Sequence, residues 1–244
     1  MKQFKFLAPL ALFASVVLFI FSCNSGTEKK AEEPAVDTAV AVKTPEPVVA
    51  PASPENYLIM THKVANFAKW QPAYESHDSV RRSYGLANYA LGRGVKDSNM
   101  AVIILRIADA NKAKELTSSQ GLKDRMKKAG VIGMTSFHYL TYIQHDSSKI
   151  EPTARVMVTH KVKDWDAWKK EFESHKQARM DAGLIDRVVA HNVDDNHMVT
   201  IISAITDMKK ATDFFSSKDL KDKMTKAGVE GAPSVLYFNV VQRY

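Results

Sequence analysis

Two histidines sit in apolar runs, each inside the same tripeptide. His62 lies in LIMTHKV (58–64) and His160 in VMVTHKV (156–162). A neutral imidazole in apolar surroundings carries one donor and one acceptor. It can therefore serve as general base or acid towards an enolisable, oxygen-rich molecule. Downstream of the first histidine, Phe67, Trp70, Tyr74 and His77 fall at i, i+3, i+7 and i+10, one face of a helix, with Arg81 a turn further on. Trp165, Trp168, Phe172, His175 and Arg179 repeat that face after the second. An arginine there would hold a carboxylate or stabilise an enolate. The expected catalytic pair is His62 and His160. The expected ligand-binding set is Trp70, Tyr74, His77 and Arg81 in one copy and Trp168, Phe172, His175 and Arg179 in the other. Aromatic walls with a few convergent polar groups describe a small-molecule site.

The competing reading makes these histidines satisfied core residues. A histidine pair, or a bond from histidine to Tyr74, would meet the need of a buried imidazole, whose unpaired polar groups cost about 1–3 kcal/mol. Metal binding would draw on His62, His77 and Asp97, or on His160, His175 and Asp195. No HxxxH or HxxE spacing supports it, and a metal needs three or four ligands converging on one point. No metal and no cofactor, haem included, is expected.

The elements that carry these residues are written twice. Shifting the 244-residue chain by 98 aligns 58–143 with 156–241 without a gap and with 33 identities. That is a duplication. In each copy a short β-rich run precedes an N-capping Asn66 or Asp164 and a helix that Gly85 or Gly183 stops. Strands are expected at about 87–95 and 100–108, and at about 185–193 and 198–206. Asp109 and Asp207 cap a second helix that runs through a Ser-Ser break to LKDRMKKAGV or LKDKMTKAGV. SFHYLTYI (136–143) or SVLYFNVV (234–241) closes the unit. The order βαββαβ is the ferredoxin-like arrangement, an α+β fold with both helices on one face of an antiparallel sheet. Leu58, Met60, His62 and Val64 alternate towards the helices. Ile59 and Met157 lie on the other face, which a second unit can cover, sheet against sheet. The link HDSSKIEPTAR (145–155) spans at most about 35 Å, enough for that passage.

The patterns H-K-V-x-[DN]-[FW]-x-x-W and L-K-D-x-M-x-K-A-G-V-x-G resemble the dimeric α/β-barrel superfamily. Within it the chain is similar to the antibiotic-biosynthesis-monooxygenase-like and cyclase-like proteins. The resemblance covers both repeats. It implies an intramolecular version of the usual homodimer, hence a monomer with an internal pseudo-dimer. It also implies chemistry in the style of cofactor-free oxygenases and polyketide cyclases. Two non-equivalent pockets are expected, because Arg93 matches His191, Tyr84 matches Ala182 and His138 matches Leu236.

Two lysines within Met1–Lys5 and the apolar run 6–22 read as a secretory signal, and the ending I-F-S-C resembles the lipobox of bacterial lipoproteins. Cys23, the single cysteine, is the expected lipidation site, which excludes intramolecular disulfides and thiolate metal clusters. Asn24 after it leans towards the outer membrane. Residues 23–55, rich in Ala, Pro, Val and Glu and without aromatics, read as a disordered tether. The repeats are expected over 56–146 and 153–244. The net charge of +7 spreads over solvated helix faces without an aromatic strip, so nucleic acid is not an expected partner. The expected function is a membrane-anchored envelope lipoprotein that binds a small, anionic or aromatic molecule. The alternatives are a cofactor-independent monooxygenase- or cyclase-like enzyme and a structural lipoprotein without a pocket.

Overall fold

A computed structural model describes residues 55–244. The expected signal peptide, Cys23 and all but the last residue of the expected tether lie outside the described residues. Glu55, read as tether, already belongs to the first strand.

The first repeat runs β1 (Glu55–Val64), α1 (Phe67–Glu75), α2 (Asp78–Ser83), β2 (Leu86–Gly94), β3 (Met100–Ile107), α3 (Ala110–Ser118), α4 (Gln120–Lys128) and β4 (Val131–His145). The second runs β5 (Ala154–Val162), α5 (Trp165–Ser174), α6 (Lys176–Asp181), β6 (Leu184–Asn192), β7 (Met198–Ile205), α7 (Met208–Ser216), α8 (Lys218–Lys226) and β8 (Val229–Arg243). This is βαββαβ twice, with each helix in two segments. The expected caps form: Asn66 accepts from the Lys69 amide, Asp164 from Ala167, Asp109 from Asn111 and Lys112, and Asp207 from Lys210.

The eight strands close into one antiparallel barrel in the order β1-β3-β2-β8-β5-β7-β6-β4. The two sheets cover each other as expected, with an interior filled from both repeats. The repeats also join edge to edge, along Gly92↔Val240 in the β2–β8 seam and Leu140↔Asn192 in the β4–β6 seam. Closure pairs the strand edges that two separate sheets would leave open. At the first seam a Cβ on Gly92 would lie 2.4 Å from the Phe238 ring, so only glycine fits there. Tyr57, Ile59, Val102, Leu140, Met157, Val188 and Phe238 fill the barrel interior from both repeats.

Beneath the helices the two copies differ. In the first, Leu58, Met60, Phe67, Trp70, Ile103 and Leu105 belong to one continuous apolar cluster. In the second, the corresponding core is two clusters, one around Val156, Leu184 and Ala211, the other around Val162, Trp168 and Ile201.

Two further expectations change. The closing strands begin five residues earlier than expected and run for 15 residues. Each carries a bulge. Thr61 pairs Ser136 but Lys63 pairs Ile132, so Gly133, Met134 and Thr135 together face His62. Thr159 pairs Ser234 and Lys161 pairs Glu230, which sets Gly231, Ala232 and Pro233 against His160. Gly133 (φ +74°) and Gly231 (φ +70°) adopt the left-handed backbone that starts each bulge. The first helix of each copy, expected to be continuous, breaks at His77 and at His175.

Candidate functional site

In the second repeat His160 sits on the helix-facing side of β5, opposite the bulge, and is 6% exposed. Neither ring nitrogen has a hydrogen-bond partner among the described residues. Burial holds its pKa down at about 4, so the imidazole is neutral at pH 7. The Asp164 cap starts α5 so that Trp165, Trp168 and Phe172 share a face. Trp168 and Phe172 stack at 5.1 Å between centroids, and Trp168 lies 5.6 Å from the His160 ring.

His160, Trp168 and Phe172 line a cavity of about 630 Å³ between the sheet and helices α5–α8. Phe214 and Phe215 of α7 wall it, Ser203 forms part of its floor, and Gly231, Pro233 and Val235 of β8 line it beside the bulge. His175 and Arg179 reach it too, so the whole predicted second set converges on one space. His175 stands at the helix break with Nε2 3.1 Å from Glu171 Oε1. Desolvation and the Lys223 charge lower its pKa, against the pull of Glu171.

Arg179 is already engaged. Its Nε and Nη2 donate to the carboxylate of Asp186 at 2.6–3.2 Å. Its Nη1 donates to the Phe172 carbonyl at 2.6 Å, and its plane lies 3.5 Å above the Phe172 ring. The guanidinium expected to clamp a ligand carboxylate instead serves a carbonyl at the end of α5, where the helix breaks.

The first repeat brings its predicted set together around a cavity of only about 60 Å³. His62, 3% exposed, has Nδ1 3.4 Å from Thr135 Oγ1, and its Nε2 has no partner among the described residues. Burial lowers its pKa to about 4. The expected bond between a histidine and Tyr74 does not form. The Tyr74 hydroxyl donates to Asn88 Oδ1 at 2.5 Å. His77 Nδ1 donates to the Ala73 carbonyl at 2.7 Å. Arg81 donates to the Tyr74 carbonyl at 2.7 Å and to Asn88 at 3.2 Å, and stacks 3.9 Å above the Tyr74 ring. Trp70 meets His62 edge-on at 5.5 Å.

Two large-for-small exchanges border the larger cavity: Phe137, packed into the first core, is matched by Val235, and Leu105 by Ser203. Leu116 and Thr117 run the other way, matched by Phe214 and Phe215. Sequence reasoning missed Ser203, Phe214, Phe215, Val235 and Asp186. For Ser203 and Val235 the signal was present in the alignment at offset 98, where both large-for-small exchanges fall on the helix-facing side. Asp97 pairs with Lys63 at 2.8 Å and Asp195 with His197 at 3.0 Å. Among the described residues no group of three or more histidines and carboxylates is placed to hold a metal ion.

No family model matches the chain, and no curated protein matches it. Solved structures do. An anthrone oxidase-like protein superposes with a TM-score of 0.55 at 10% identity, over 80% of this chain and 95% of that one. A candidate monooxygenase from Fusobacterium nucleatum subsp. nucleatum gives 0.51 at 14% identity, over 78% of this chain and 94% of that one. The likeness is one of fold: this chain is a ferredoxin-like dimeric α/β barrel made from a single polypeptide.

Proposed function

We propose that the second repeat is the working site and binds a small, flat aromatic molecule bearing a hydroxyl or carbonyl group. The observation that carries this reading is His160, buried with both nitrogens free, beside a cavity of about 630 Å³. A ligand hydroxyl donating to the acceptor nitrogen recovers part of the roughly 1–3 kcal/mol that an unpaired buried polar group costs. Trp168, Phe172 and Phe214 offer ring faces and edges to a flat partner. Lys221 and Lys223 at the lining favour an anionic one.

A second reading rests on the same histidine. Neutral at pH 7, it can accept a proton from an enolisable ring, as a cofactor-independent monooxygenase- or cyclase-like enzyme requires. The oxidase-like and monooxygenase neighbours of the fold support that class. Anthrone is a suitable probe for both. Quenching of tryptophan fluorescence in the full chain, held in detergent, is expected to report binding. His160→Ala should weaken it about tenfold, equivalent to about 1.4 kcal/mol, and Val235→Phe should abolish it by filling the cavity. His62→Ala should leave it unchanged. Equal affinity in all four proteins overturns the assignment. Oxygen uptake that His160→Ala removes marks an enzyme; binding without uptake marks a binding module.

The same proposal places the protein in the bacterial cell envelope, at the outer membrane, anchored by lipid on Cys23. Support comes from the basic start, the apolar run 6–22 and the Ser22-Cys23-Asn24 junction. Metabolic labelling with palmitate is expected to mark the native chain and not Cys23→Ser. Labelling that survives the substitution removes this part of the reading.

A further inference from the structure

The barrel interior holds charge that the site above does not use. Arg155, on β5, is 3% exposed, and its Nη1 donates only to the carbonyls of Pro152 and Ala154, at 2.6 and 2.8 Å. Arg187, on β6, is equally buried and is paired with Asp146 at 2.5 Å. Both line a cavity of about 40 Å³ that Arg243, exposed at the end of β8, also reaches. The lining thus carries three guanidinium groups and one carboxylate. Among the described residues no carboxylate is within ion-pair distance of Arg155, whereas Asp146 is committed to Arg187.

A second observation points into the same space. The Tyr142 hydroxyl, on a residue lining this cavity, is buried and has no hydrogen-bond partner among the described residues. Its neighbours Tyr89 and His145 satisfy one another at 2.9 Å. The duplication sharpens the point. At offset 98 Arg155 matches Tyr57 and Arg187 matches Tyr89, so both arginines belong to the second copy alone. The first copy meets the barrel interior with Tyr57 and Tyr89, packed edge to face, instead.

A buried charge is stable only when paired or fully hydrogen-bonded. Burial and the neighbouring Arg243 and Arg187 charges together push the Arg155 guanidinium down to about 10, still protonated at pH 7. We infer that the barrel interior binds one small inorganic anion, held by Arg155 and Arg243 with the Tyr142 hydroxyl donating to it. Guanidinium groups suit this role, since each offers several N–H donors in a fixed plane. The cavity is small, and its three guanidinium groups against one carboxylate favour a compact anion.

Equilibrium dialysis of the full chain in detergent tests this, with radiolabelled chloride and phosphate in a gluconate buffer. One equivalent of chloride or phosphate per chain is expected, with each ion displacing the other if both fit. Arg155→Met should weaken retention at least tenfold, and Tyr142→Phe and Arg243→Gln several-fold. Arg243 is exposed, so its variant folds even where Arg155→Met does not, and circular dichroism checks both. No retained ion, or retention unchanged in Arg243→Gln and Tyr142→Phe, overturns the inference.

Discussion

Between pH 6.5 and 4 the folded domain is expected to lose about 3 kcal/mol of stability for each of His62 and His160, at about 1.4 kcal/mol per pH unit per histidine. Burial lowers both imidazoles from 6.5 to about 4 in the folded chain. In the unfolded chain each takes up its proton near 6.5. Over that window the unfolded state binds more protons than the native one, so stability falls as pH falls. It is complete above 6.5 and the loss levels off below 4. Desolvation also lowers His138, His145 and His175, which adds to the loss in the same direction. Urea unfolding at pH 7, 6, 5 and 4.5 measures the slope. The double variant His62→Gln/His160→Gln should flatten it, whatever its stability at pH 7. An unaltered slope in that variant removes the premise that both imidazoles are buried neutral.

Arg179→Met is expected to destabilise the domain by about 3–5 kcal/mol, the scale for leaving one member of a buried ion pair alone. Asp186 has a side chain 9% exposed and would lose its ion-pair partner. The carbonyl of Phe172 would lose its donor as well. The equivalent Arg81→Met should cost less, about 1–2 kcal/mol, because Arg81 faces the neutral Asn88 and the half-buried Asp78. Removing both charges in Arg179→Met/Asp186→Leu should recover most of the loss. Denaturant midpoints at constant m-value test all four proteins. Equal losses at Arg81 and Arg179 contradict the asymmetry.

Much of this architecture was legible in one sequence compared with itself. The gapless offset of 98, the Asn66, Asp164, Asp109 and Asp207 caps and the alternation around His62 fix the order of elements. The resemblance in the H-K-V and L-K-D patterns then supplies the barrel. The break at His175 carries no glycine or proline signal, and Pro72 lies inside α1, five residues before the break at His77. Each is completed by an arginine of the next helix segment, seven residues beyond Tyr74 or Phe172. The bulges did leave a mark, a glycine within an otherwise β-rich run at Gly133 and Gly231. Reading the strands as starting at 136 and 234 passed over it. The cavity depends on Val235 and Ser203 bordering one space, which needs the register of β7 and β8 across the intervening β5. The arginines of the barrel interior are legible only once Tyr57 and Tyr89 are known to point inward.

The covalent link between the halves has an evolutionary consequence. In a barrel built from two copies of one gene product, every change at one pocket appears at its mate. A mutation that opens one opens both, and doubles any loss of core packing. Joining the copies in one reading frame releases that obligation. Phe137 can keep one half densely filled while Val235 borders an open cavity in the other, so the two descendants of one ancestral unit are free to diverge within a single polypeptide.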